Sequence, residues 1–108
     1  MQQIEIAIPD LNDSYSRIVL DKVQYLLRMS WNETGQYWYL GLHKPDKTPI
    51  LQGIKIVPRF PLNLGYVDDD IPFGLLCVYS DKERIGRYDF IDGTAVFAYI
   101  PAVQEEDA

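Results

Sequence analysis

The chain contains one histidine and one cysteine, so a nucleophile and base pair drawn from these types would have to be Cys77 and His43. Neither sits in a setting that favours reaction. Cys77 lies between Leu76 and Val78 in an apolar run, where burial raises a thiol pKa and leaves the group inert. His43 ends an aromatic stretch just before Lys44-Pro45, the position of a solvated surface histidine. A lone cysteine closes no internal disulfide and no multi-cysteine zinc site, which fits a reducing compartment.

Oxygen ligands are more plentiful. Asp68-Asp69-Asp70 offers carboxylates for a hard cation, but the twelve-residue calcium-loop spacing and its distal Glu are absent, and a solvated loop is the simpler reading. Carboxylate pairs for a small hydrolase exist among 16 Asp and Glu, yet a glycosidase needs a deep cleft that a chain this size has little material to build. Trp31, Trp38, Tyr37 and Tyr39 admit two readings. Exposed, they would form a sugar-stacking platform and make the chain a carbohydrate-binding module; inward, the tryptophans fill a core, which their alternation with polar neighbours favours. Gly35, Gly41 and Gly53 are widely spaced and no helical pattern follows them, so no phosphate cradle and no cofactor is expected.

The elements that would carry these residues are strands. Ile4, Ile6 and Ile8 alternate with polar or small residues up to Pro9, Tyr15 to Leu20 forms a second strand, and Asp21-Lys22 is a hairpin break. Lys22 stands where a tight hairpin prefers Gly, which predicts a turn of another type or a bulge. Val23, Tyr25, Leu27, Met29 and Trp31 share one face of a third strand, and Asn32-Glu33-Thr34-Gly35 turns the chain, with Gly35 at positive φ, into a fourth that ends at His43. Ile50 to Val57 resumes as strand with a bulge at Gly53. Pro58-Arg59-Phe60-Pro61 cannot run in a central ladder, Leu62 and Leu64 suggest a short edge strand, and Phe73 to Tyr79 and Thr94 to Ile100 complete the set. The segment from Ser80 to Asp92 keeps no period.

No stretch holds a helical repeat for three turns. The expectation is an all-β fold: a single small β-sandwich or partly open β-barrel of about seven short strands, with residues 1–101 as one domain and 102–108 as an acidic flexible tail. The tryptophans should be largely buried, holding the second hairpin to the core. A net charge of -6 repels phosphate backbones and anionic headgroups, so neither nucleic acid nor membrane is an expected partner. Met1 is followed by a polar, acidic segment, so no secretory signal is expected.

The order of several segments resembles the baseplate plug-domain family of contractile-tailed bacteriophages. The resemblance is carried by Ser16 in the N-terminal strands, Leu20-Asp21, Trp31-Asn32, Trp38, Pro49-Ile50 with Gly53, and Leu62-Asn63-Leu64. It continues through Ile71-Pro72 with Gly74, Asp89-Phe90 and Ala98-Tyr99-Ile100. It implies a non-enzymatic structural part of a virion tail baseplate, made in the host cytoplasm and seated at the central hub where the tail tube meets the spike. It implies hub, tube or spike proteins as partners, homo-oligomers in the assembled baseplate, and no catalytic signature.

For such a part the contact residues are sought among aromatics and arginines, which are enriched at interface hot spots. Tyr37, Tyr39, Arg84 and Arg87 are the candidates. The mixed charges around Arg84 and Arg87 further suggest that the loop from Ser80 is ordered mainly by a partner. In that case Arg87→Glu weakens a complex without lowering stability.

Overall fold

The computed structural model describes residues 3–66 and 70–102. Its strands are β1 (Ile4–Ile6), β2 (Asp13–Leu20), β3 (Val23–Asn32), β4 (Tyr37–His43), β5 (Pro49–Lys55), β6 (Leu75–Ser80) and β7 (Ala95–Ile100). They form a four-stranded antiparallel sheet in the order β2-β3-β4-β5 and a three-stranded one in the order β1-β7-β6. Among the described residues the fold is all-β but for one short helix, α1 (Asp89–Asp92), and the two sheets do not close into a barrel.

Period-two alternation decides which side chains meet between the sheets. Leu27, Met29, Trp38, Leu40 and Leu42 from the larger sheet share one core with Leu76, Val78, Phe97 and Tyr99 from the smaller. Each such large side chain removed from water contributes on the order of 1.5 to 3 kcal/mol before chain entropy is set against it. Trp38 is 1% exposed. Trp31 is only half-buried, its ring set edge-on to Trp38 at 5.5 Å and its Nε1 donating to Glu33 at 2.6 Å. It lies near the end of β3, where its ring can cover the core but not enter it.

The turns depart from expectation in an instructive way. Asp21 and Lys22 both adopt left-handed backbone, φ 50° and 70°, the pair of positive angles that a two-residue type I′ hairpin needs to match strand twist. Lys22 tolerates what Gly would take freely. At the next hairpin the positive φ falls on Gln36, at 58°, and not on Gly35. Gly35 is small for a different reason: a Cβ there would enter the Tyr37 ring. Its amide donates to Asn32 Oδ1 at 2.8 Å, so the asparagine side chain three residues back closes the turn.

Prolines also settle into a specific place. Arg59 N donates to Val78 O at 2.8 Å and Leu62 N to Leu76 O at 2.7 Å, so the segment around Pro58 and Pro61 lies along the free edge of β6 and bonds it through amides that follow each proline. Leu62 and Leu64 lie in turns and not in a strand. Asn63, 5% exposed, finishes that edge: its amide nitrogen donates to Pro72 O and Gly74 O, and its Oδ1 accepts from Leu76 N.

Candidate interaction surface

The outward face of the four-stranded sheet holds the side chains best placed to act on something else. Register puts Asp13, Tyr15 and Arg17 of β2 beside Ser30, Arg28 and Leu26 of β3. The same rows continue through Tyr39, Gly41 and His43 of β4 to Lys55 and Pro49 of β5. Gly53, at φ 66°, makes the expected bulge, so that two residues of β5 stand opposite Gly41. The missing side chain at Gly41 and the bulge together open a shallow hollow of about 200 Å³, lined by Arg28, Ser30, Tyr39, His43 and Gln52.

His43 is not the solvated histidine expected from sequence; it is 6% exposed. The chain after it folds back over the face, so that His43 Nδ1 meets Lys47 O at 3.3 Å and the ring packs against the edge of Tyr15 at 5.5 Å. The turn residues that looked like a simple exposed loop therefore form a cover. His43 Nε2 points toward the open space above Gly41, where a Cβ would lie 3.0 Å from it.

Cations on this face are held over rings. Arg28 and Lys47 approach the Tyr15 ring at 5.6 and 5.2 Å, and Lys55 lies 4.6 Å from the Tyr37 centroid, distances at which a ring quadrupole attracts positive charge. Arg28 also grips Asp13 through two hydrogen bonds of 3.0 and 2.9 Å, while Ser30 donates to the same carboxylate. Those donors hold the Asp13 carboxyl below the usual carboxylate range.

Of the four candidates, Tyr37 and Tyr39 are neighbours on this face. Their hydroxyls are hydrogen-bonded at 2.5 Å and their rings meet at 79°. That shared hydrogen bond raises the Tyr37 pKa. The arginines lie elsewhere and are engaged within the chain. Arg84 donates to the carbonyls of Gly35 and Gln36 at the β3–β4 turn. Arg87 donates to Asn12 and Asp10 and stands over the rings of Trp38 and Tyr88.

The whole segment from Ser80 is bound to its own chain. Ile85 is 3% exposed, Trp38 Nε1 donates to Gly86 O at 3.2 Å, and the buried Asp89 carboxylate accepts from Lys82 and from Gly86 N. Ordering by a partner is therefore not what this segment needs. The missing period has a local cause, since the segment is held by side chains reaching back to it and by a single helical turn.

Other sequence candidates are accounted for simply. Cys77 is buried, and desolvation raises its thiol pKa. Asp70 pairs with Lys44 at 3.0 Å; Asp68 and Asp69 lie outside the described residues. Among the described residues no group of three or more His, Cys, Asp or Glu is placed to hold a metal ion. Among the described residues the carboxyls that shift, Asp13, Asp46 and Asp92, are held low by hydrogen-bond donors.

Most of the segments that carried the family resemblance turn out to be the fold's polar fastenings: Asp21, Asn32, Asn63, Gly74, Asp89 and Tyr99 hold turns and edges, while Pro49 and Gly53 belong to the face described above. No curated protein matches this chain. A family model described as cyanophage baseplate Pam3 plug gp18 matches residues 1–102. The chain thus belongs to that family of phage baseplate plugs, a structural family of the virion tail.

Proposed function

We propose that the chain is a non-enzymatic plug at the central hub of the baseplate, held there by protein contacts with hub, tube or spike proteins. The observation that carries this reading is the outward face of the four-stranded sheet. Aromatic rings, clamped cations and a shallow hollow suit recognition of another protein surface. Tyr37 and Tyr39 are its leading contact residues. Arg84 and Arg87 take part from the adjoining end, where they fix the segment that borders the β3–β4 turn. The working unit is the β domain of residues 1–101, synthesised in the host cytoplasm and incorporated into the virion.

Co-expression with the tail proteins encoded beside it tests the reading. A complex with a hub, tube or spike protein should survive purification, and Tyr37→Ala with Tyr39→Ala should weaken it while leaving the melting temperature near that of the parent. If the parent protein is retained by none of them, or degrades peptidoglycan, the assignment fails.

A further inference from the structure

The protein carries 16 acidic residues against 10 basic ones, yet the outward face of the four-stranded sheet has the opposite balance. Arg17, Arg28, Lys47 and Lys55 all belong to it, as register and ring contacts show. Asp13 is the acid within it and is paired with Arg28, so these two cancel and the excess is carried by Arg17, Lys47 and Lys55. Asp46, in the covering loop, is turned to Thr48 N. A basic, tyrosine-rich face on an acidic molecule is a local field of one sign, and such a field selects partners of the other.

From this we infer that the face docks an acidic polypeptide segment of a neighbouring baseplate protein, one of whose carboxylates enters the hollow over Gly41. The inference rests on the plug reading and adds the chemistry of its partner. Gln52 and Arg28 line the hollow and can offer N–H groups to a carboxylate, whereas a side chain at Gly41 would close it against His43 Nε2. The tyrosine rings supply contact area at low entropic cost around it. A polypeptide fits better than a nucleic acid, because the remainder of the surface is acidic and would repel a long phosphate chain.

The test titrates the full chain with an oligoglutamate peptide and follows the ring resonances of Tyr15, Tyr37, Tyr39 and His43 by NMR. These should shift, the effect should fade as salt rises, and Lys47→Glu with Lys55→Glu should weaken binding about tenfold or more. Lys22→Glu, which changes charge off this face, should leave it unaltered. Absence of shifts, or equal binding by the double variant, overturns the inference, as does stronger binding of oligodeoxythymidine. So does a change of the same resonances without added peptide in E105Q/E106Q/D107N, which would make the chain's own acidic residues the occupant. Copurification with tail proteins is read separately: retention of the parent and the double variant alike keeps the plug reading while removing this one.

Discussion

Tyr99, fully buried on β7, donates its hydroxyl to the carboxylate of Asp21 at 2.5 Å and accepts from Gly74 N at 2.9 Å. One phenol thereby joins the last strand of one sheet to the first hairpin turn of the other. The same Asp21 carboxylate accepts from Ala102 N, so the turn in which Lys22 holds an unfavourable φ is fastened from outside. Strain of this kind persists only where surrounding contacts over-determine it.

Tyr99→Phe should therefore cost about 1 to 3 kcal/mol, because Gly74 N loses its acceptor in a buried place. Urea unfolding followed by tryptophan fluorescence measures this. A midpoint shift too small to resolve would show that water replaces the phenol without penalty.

Burial, and then the hydrogen bond to Asp21, raise the Tyr99 pKa well above its ordinary 10.0. A group whose folded pKa exceeds its unfolded one stabilises the fold fully below the unfolded value and loses that contribution as pH rises through the folded one. Stability should thus hold up to about pH 10 and fall beyond it. Phenolate absorbance in the parent should rise in two stages, exposed tyrosines first and Tyr99 together with unfolding, and Tyr99→Phe should flatten the second.

Gly74 has no room for a side chain: a Cβ would lie within 2.3 Å of Ile100 O and 2.4 Å of Tyr99 Oη. Gly74→Ala should destabilise by about 1 to 3 kcal/mol, as overpacking against backbone does. Lys22→Gly should move the other way by up to about 1 kcal/mol, relieving the left-handed φ of 70°. Chemical denaturation of both variants beside the parent checks the two signs together.

The strands were legible because a half-buried sheet writes its period into the chain: Tyr25, Leu27 and Met29 of β3 and Trp38, Leu40 and Leu42 of β4 recur at every second position in the core, and Gly53 announced its bulge. What period cannot convey is where the polar fastenings go. His43 looked solvated because its cover, the turn from Lys44 to Thr48, is polar and short, and only the backbone path brings Lys47 O back to its ring. Arg87 looked like a free contact residue because its partners, Asp10 and Asn12, are distant in sequence. The basic character of the outward face was hidden for the same reason, since Arg17, Arg28, Lys47 and Lys55 come from separate segments and the summed charge is negative.

Trp38 and Trp31 should separate in a stability measurement. Trp38→Ala removes a ring that is 1% exposed and also leaves Gly86 O without its donor, for a loss of about 3 to 5 kcal/mol. Trp31→Ala should cost clearly less, because its ring is half-buried and its Nε1 bond to Glu33 is exposed. Equal losses would mean that the edge-on packing of the two rings, and not burial, sets the energy.

Arg87→Glu reports on the segment that follows β6. The Arg87 side chain is 15% exposed, sits over Trp38, and donates to Asn12 at 2.6 Å and to Asp10 at 3.0 Å. Reversing its charge sets a carboxylate beside Asp10 and removes the cation from the tryptophan face. The expectation that this variant keeps its thermal stability is accordingly replaced: it should melt several degrees below the parent, by about 1 to 3 kcal/mol for the lost charged hydrogen bonds. Hydrogen exchange should quicken from Asp81 to Asp92 and stay slow in β6 and β7. Unchanged melting with normal protection in that segment would show that Ile85, Gly86 and Asp89 hold it without Arg87, and would return Arg87 to the set of residues free to meet a partner.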